Sequence, residues 1–192
     1  MVVQQEENPY HYTGIHAFGF LRGAAVNPGE VVATIRRLGR PPEGPVIWAG
    51  SFVGEYYALA HVRVEPEAFD DLQALIEGDL WDAGFRGRWA VEDRVAQKTD
   101  QNAVVMRVGV KRGTQEIIAV SALSIEPGSL DAVLEQVVSV EGFRGASVVF
   151  GDADVLVQLG GERFGEVAAA VEGLQGVEGI VAASTAFCDG RR

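Results

Sequence analysis

A short turn between two apolar runs is the feature that most constrains the fold of this chain. Residues 150–157 read Phe-Gly-Asp-Ala-Asp-Val-Leu-Val, a pattern that predicts a β-hairpin. Apolar residues recur with helical spacing on either side of it, over 130–138 and 164–174. A strand-like segment lies at each end, over 117–125 and 180–187. The order strand, helix, strand, strand, helix, strand predicts an α+β, ferredoxin-like unit.

The first half of the chain repeats this order. Its elements are a strand from Phe18, a helix beginning at Pro28, strands over 46–49 and 56–64, a helix over 69–80 and a strand over 89–91. Landmarks shared by the halves are separated by 99, 97 and 95 residues, for the pairs Pro28 and Pro127, Gly54 and Gly151, and Phe69 and Phe164. The small drift in this offset indicates an internal duplication.

The duplication divides the chain into two similar units joined by a linker, and it predicts that the two units pack on each other. Residues 14–96 form one βαββαβ unit, 97–114 a linker with an added strand at 103–110, and 115–190 the second unit. A four-stranded sheet with helices on one face must bury its other face. We therefore expect a pseudo-dimer resembling a dimeric α/β barrel. The residues expected to face the space between its sheets are Leu59, His61, Leu156 and Gln158.

Composition and charge exclude several functions. The 192 residues carry a formal net charge of −11, so the average surface repels phosphate, and no basic cluster offsets it. No helix-turn-helix pattern appears, and we expect no direct binding to nucleic acid. No apolar segment is long enough to cross a membrane. The single cysteine and the absence of a signal-peptide pattern predict a cytoplasmic protein.

Five segments of the second half resemble the ligand-binding domain of the Lrp/AsnC family of regulators. They are 122–128 (Ala-Leu-Ser-Ile-Glu-Pro-Gly), 140–143 (Val-Glu-Gly-Phe), 150–157, 176–180 (Gly-Val-Glu-Gly-Ile) and 184–187 (Ser-Thr-Ala-Phe). The resemblance implies a regulatory protein that senses an amino acid or related metabolite. It implies no catalytic residues, no cofactor, and either self-association or a regulator protein as partner.

The resemblance also implies a ligand site at the two hairpins, where the family commonly has Gly-x-Tyr-Asp. Each hairpin has part of that motif. One residue of the strand that follows each hairpin, His61 or Gln158, completes the candidate set. The candidate ligand-binding residues are Gly54, Glu55, Tyr56, Tyr57, His61, Gly151, Asp152, Asp154 and Gln158. Turn chemistry is the alternative explanation, because Gly permits positive φ and Asp bonds to nearby backbone groups.

Two other functions remain open at this point. One is an enzyme of the dimeric α/β-barrel type, of the haem or monooxygenase kind, with His61 and Tyr57 as its polar groups. The other is an ACT-like module that binds a partner protein. The three histidines lack the ligand spacing of known metal motifs, so no metal site is predicted.

Overall fold

The computed structural model describes residues 15–22, 28–39, 44–54, 58–64, 86–94, 116–151 and 153–189. The helices within them are α1 (Pro28–Arg37), α2 (Leu130–Val137) and α3 (Phe164–Gln175). The strands are β1 (Ile15–Arg22), β2 (Val46–Ser51), β3 (Val53–Gly54), β4 (Ala58–Val64), β5 (Arg86–Arg94), β6 (Ile117–Ile125), β7 (Phe143–Gly151), β8 (Val155–Gly161) and β9 (Ile180–Asp189). The helix predicted over 69–80 and the strand predicted over 103–110 lie outside the described residues.

All the strands belong to one sheet, in the order β2-β4-β1-β5-β7-β8-β6-β9-β3, and each pair in it is antiparallel. The two outermost strands, β2 and β3, are consecutive in the chain and separated only by Phe52. They are therefore two segments of one strand whose first part pairs with β4 and whose last part pairs with β9. This double pairing closes the sheet into a barrel.

Each half of the barrel has the strand order of a ferredoxin-like unit. The first half runs β2-β4-β1-β5 and the second β7-β8-β6-β9, so corresponding strands occupy corresponding places. The prediction of tandem ferredoxin-like halves in a dimeric α/β-barrel arrangement is confirmed. The boundaries 14–96, 97–114 and 115–190 stay a prediction.

The halves join at two seams, which are related by the duplication. At one seam β5 pairs with β7, and Gly151 lies opposite Ala90. At the other, β3 pairs with β9, and Gly54 lies opposite Ala186. The two hairpin glycines, 97 residues apart, thus hold equivalent places in the barrel. Neither half presents the open sheet face that a lone ferredoxin-like unit would have to cover.

The helices cover the outer face of the barrel. In the second half, α2 buries Val133 and Val137 and α3 buries Val167 and Leu174, all against the outward residues of β6, β7 and β8. This is the apolar stripe expected of a helix that packs on a sheet. None of the helices in the described residues is long and apolar enough to span a membrane.

Replacing Gly179 with alanine is expected to destabilise the protein by about 1–3 kcal/mol. Gly179 has a φ of 93°, and a Cβ there would lie 2.9 Å from both Ser129 Cβ and Val133 Cγ2. The new methyl group would push α2 away from the start of β9. Unfolding in urea measures the loss.

Gly128 provides the matched control. Its φ is 89°, but a Cβ there would meet nothing within 4 Å, so Gly128→Ala carries only the backbone cost. Equal losses in the two variants would show that the contact between α2 and β9 contributes nothing at this point.

Candidate functional site

The interior of the barrel is lined by alternate residues from both halves. Phe18, Phe20 and Leu59 of the first half pack in one core cluster with Val120 and Leu156 of the second. Each of these side chains is at most 4% exposed. Because neighbouring residues of a strand point to opposite faces, this cluster is separate from the core beneath the helices. The apolar contacts of the interior therefore hold the halves together.

Among the described residues, four buried polar side chains lie on the strand faces that line this interior: His16, His61, Ser147 and Gln158. Nδ1 of His16 lies 2.8 Å from Nε2 of His61, and both side chains are 2% exposed. The His61 ring also stacks on Phe18, with ring centroids 4.4 Å apart and planes inclined by 23°. A hydrogen-bonded pair of imidazoles is thus buried, and one of its rings stacks on an aromatic side chain.

The pairing of β1 with β4 brings the two histidines together although they are 45 residues apart. His61 lies directly opposite Phe18, and His16 lies opposite Arg63. His16 is therefore the diagonal neighbour of His61 on the same face, a distance that long side chains can bridge. The contact between His16 and His61 therefore follows from the antiparallel register of β1 and β4.

The hydrogen bond limits the protonation states of the pair. One ring must donate and the other accept, so at most one of the two imidazoles can carry an extra proton while the bond lasts. In the neutral pair, the donor ring has its lone pair on the nitrogen away from the bond. The acceptor ring has its N–H there. A proton taken up at one outer nitrogen can thus cross the bond and leave from the other.

The structure separates the predicted ligand-binding residues into two groups. His61 and Gln158 are buried on the interior strands of opposite halves, at equivalent places 97 residues apart. Gly54, Gly151 and Asp154 lie at the end of the barrel where β4 and β8 begin. His16 is near the other end, where β4 finishes. Glu55, Tyr56, Tyr57 and Asp152 lie outside the described residues. A shared ligand site of the whole set stays a prediction.

Asp154 has a clear role in the fold. Its Oδ2 atom accepts a hydrogen bond of 2.7 Å from the backbone N–H of Ile125, at the end of β6. The backbone N–H of Asp154 in turn donates to the carbonyl of Leu123. These two bonds attach the second hairpin to β6, which is the turn chemistry considered for this residue.

Sequence reasoning missed His16. It named His61 from the alternation of β4 but gave no role to the histidine at the start of β1. Two signals could have found it. In a ferredoxin-like unit the first and third strands are neighbours. The second signal is the alternation of apolar residues along each strand. His16 alternates with Phe18 and Phe20, and His61 alternates with Leu59, so both imidazoles are predicted to lie on the interior face.

A concave region lies outside the barrel, between α2 and α3. This groove has a volume of about 1400 Å³, and the acidic side chains that line it are those of Glu116, Glu135, Glu141, Glu162 and Glu166. Arg144 also lines it and forms an ion pair of 3.0 Å with Glu116. No group of three or more potential metal ligands occurs among the residues described.

Comparison with known proteins identifies the fold. No protein-family model matches the chain, and no curated protein matches it in sequence. It is similar to the crystal structure of an anthrone oxidase-like protein, with a TM-score of 0.58 and 13% identity over 93% of this chain and 91% of the other. It is also similar to a variant of chlorite dismutase from Candidatus Nitrospira defluvii, with a TM-score of 0.56 and 12% identity over 94% and 93% of the two chains. A structure of that enzyme in complex with imidazole gives a TM-score of 0.53 and 10% identity over 90% of each chain.

These structures correct the family and function inferred from sequence. The predicted membership of the Lrp/AsnC family is wrong, and so are the predictions of a non-enzymatic sensor and of a role in transcription regulation. The two solved proteins named first, which share this fold over about nine-tenths of the chain, bear the names of an oxidase-like protein and of a chlorite dismutase. The order strand, helix, strand, strand, helix, strand is common to both kinds of protein, so periodicity could not separate them. The alternative of a dimeric α/β-barrel enzyme agrees better with the comparisons.

Proposed function

We propose that this protein is an enzyme of the oxidase or monooxygenase type that acts on a small organic substrate inside the barrel. The observation that carries the proposal is the buried hydrogen bond between His16 and His61. Imidazole is the most frequent general acid and base in enzymes, and a buried pair can both accept and relay a proton. The similarity of the fold to an anthrone oxidase-like protein supports this class of reaction.

The surroundings of the pair favour an apolar, planar substrate. Phe18 stacks on His61, and Phe20 and Phe52 belong to the same interior cluster. Aromatic groups pack favourably on one another, and a site without water strengthens each electrostatic interaction within it. Gln158, buried on the opposite half, would orient a carbonyl or hydroxyl group of the substrate.

Anthrone shows the chemistry that such a site could perform. Its methylene carbon lies between aromatic rings, in conjugation with the carbonyl, and a base that removes a proton there leaves an electron-rich anion. Dioxygen then oxidises this carbon to a carbonyl. One oxygen atom of dioxygen becomes that carbonyl oxygen, and the other leaves as water with the two hydrogens of the methylene group. The protein would supply the base, the orientation and a dry enclosure.

The described residues do not fit haem. Haem iron is held by His, Cys, Met or Tyr side chains. Inside the barrel, Nδ1 of His16 and Nε2 of His61 face each other in a hydrogen bond, so neither of these two nitrogens is available to iron. None of the residues lining the groove between α2 and α3 is of these four types. No step of the proposed chemistry is assigned to haem.

Oxygen uptake by haem-free protein tests the proposal. Protein prepared without added haem, and showing no Soret absorption, is expected to consume dioxygen and anthrone in equal molar amounts and to form anthraquinone. Hydroquinones and other acidic phenols extend the panel, and the same protein unfolded in urea corrects for spontaneous oxidation. Absence of uptake with every member of the panel, or uptake only after haem is added, would contradict the proposal.

A further inference from the structure

The inner face of the second half is exposed to solvent at one end of the barrel, where β6 finishes and β9 begins. Ala122 packs against the interior cluster, and Ser184 lies directly opposite it on β9. Ser124 and Ala182 form the next pair on the same face. Ala182 is exposed and the other three are partly exposed, whereas Ala186, the next inward-facing residue of β9, is only 4% exposed. These first four residues form what we term the open end.

The opposite end of the same half is covered by an ion pair. Gly160 lies directly opposite Ile118, which belongs to the interior cluster, so a side chain at position 160 would point inward. A Cβ there would lie 3.2 Å from Nε of Arg144 and 3.4 Å from Oε2 of Glu116. These two residues form the ion pair of 3.0 Å, and Ile118 is 1% exposed. In the described part of the second half, the inner face is thus exposed at the open end and covered at the other.

The first half has a bulky aromatic side chain at the place where the second half has Ala122. Leu59 pairs with Phe20, and its counterpart Leu156, 97 residues later, pairs with Ala122. Phe20 and Ala122 therefore hold equivalent places in the two halves. Phe20 is 4% exposed within the interior cluster, whereas Ala122 is partly exposed beside it. The internal duplication thus shows which side chain would cover the open end, namely a phenylalanine at position 122.

We propose that the substrate binds at the open end, and that Ala122 is the residue that determines how large its aromatic ring system can be. The proposal rests on the proposed function and deepens it. A flat, apolar ring placed here would remove the methyl groups of Ala122 and Ala182 from water, which favours binding. The hydroxyl group of Ser124 can bond to a carbonyl or hydroxyl group at the edge of the ring.

The open end lies next to the seam at which β3 pairs with β9. Gly54 pairs with Ala186, and Ser184 of the open end is the next inward-facing residue of β9. Ala186 is buried in the interior cluster. In the proposed route, the substrate therefore remains at the open end until this seam opens, and it then reaches the histidine pair.

Thiol labelling tests binding at the open end without any turnover. Ala182→Cys and Ala183→Cys are made in a Cys188→Ser background, so that each variant has a single thiol. Both positions are exposed, but Ala183 lies opposite Leu123 of the core beneath the helices and therefore points outward. A water-soluble anthraquinone sulfonate is the probe. At about ten times its dissociation constant, it is expected to slow the reaction of Ala182→Cys with N-ethylmaleimide about tenfold by mass action.

The outward thiol is the matched control. Ala183→Cys should react equally fast with and without the probe. Lack of protection of Ala182→Cys at every soluble concentration of the probe would overturn the proposal. Equal protection of both thiols would overturn it as well, because the probe would then show no preference for the inner face.

Substrate selectivity tests the role of Ala122. Ala122→Phe introduces the side chain that the first half has at the equivalent place, and it is expected to lower kcat/KM for anthrone about tenfold or more. The value for a one-ring hydroquinone should fall much less, and Ala122→Ser, which stays small, should keep the wild-type preference. Ala122→Val gives the same comparison if phenylalanine prevents folding. An equal loss with both substrates, in a variant that unfolds at the wild-type urea concentration, would refute the role of Ala122.

The two measurements separate this proposal from the proposed function. Protection of Ala182→Cys without oxygen uptake by the wild-type protein would refute the proposed enzyme and leave binding at the open end standing. Oxygen uptake without protection of that thiol would refute binding at the open end and leave the proposed enzyme standing.

Discussion

Replacing His61 with glutamine is expected to lower kcat/KM for oxygen-dependent turnover by about 10²–10⁴-fold, the usual contribution of a general base. Glutamine keeps a polar group within reach of His16 but cannot take up a proton. The hydrogen bond of 2.8 Å can therefore be replaced, whereas the proton transfer cannot. Steady-state oxygen uptake at saturating and limiting substrate measures both kcat and kcat/KM.

The two histidines should act as one unit. If they do, the double variant His16→Gln with His61→Gln loses little more activity than His61→Gln alone, because residues that act together have strongly non-additive effects. His11→Gln serves as the matched control, since it removes the third histidine of the chain and leaves both members of the pair in place. Activity of His61→Gln within tenfold of wild type, in a variant that unfolds at the same urea concentration, would eliminate His61 as the base.

Replacing Leu156 with alanine is expected to destabilise the protein by about 2–5 kcal/mol, the range measured for large-to-small changes in well-packed cores. Leu156 is fully buried and lies in the interior cluster, between residues of both halves. The truncation leaves a cavity in the contact that holds the halves together. We expect both halves to lose stability, although the substitution lies in only one of them.

Urea unfolding followed by circular dichroism measures this loss. Val181→Ala is the control, because Val181 is 70% exposed and its truncation should change the stability by less than about 0.5 kcal/mol. If Leu156→Ala produced two separate unfolding transitions, the first half would be stable without the interior contacts. That outcome would refute the view that the interior cluster unites the halves.

The sequence predicted the second half closely because each of its elements has a local signal. The strand over 117–125 was predicted with the bounds that β6 has, and the stripe beginning at Leu130 predicted α2. In the hairpin at 151–154, Gly151 has a positive φ and Asp154 accepts a hydrogen bond from a backbone N–H, as turn chemistry predicts. In the first half, Asn27-Pro28 correctly marked the start of α1. Local chemistry was enough for these elements.

Barrel closure had no such local signal. It depends on one strand that is divided at Phe52, so that Val46–Ser51 pairs with β4 and Val53–Gly54 with β9. The partner β9 is more than 120 residues away in the chain, and nothing in the composition of 46–54 indicates it. The histidine pair depends on long-range register in the same way. The Lrp/AsnC prediction was wrong because the motifs that suggested it are turn and strand chemistry, which unrelated proteins of this fold share.

The two seams of the barrel are unequal, and this has a consequence for motion. Among the described residues, β5 pairs with β7 from Ala90 to Arg94, whereas β3 pairs with β9 only at Val53 and Gly54. Of these two described pairings, that of β3 with β9 has fewer hydrogen bonds to break, so we expect it to open first and its amide hydrogens to exchange sooner with solvent. Parting there would turn the barrel into a curved open sheet without unfolding either half. If the proposed substrate binds inside the barrel, it would enter and leave only when this seam opens. The rate of seam opening would then limit the rate of turnover.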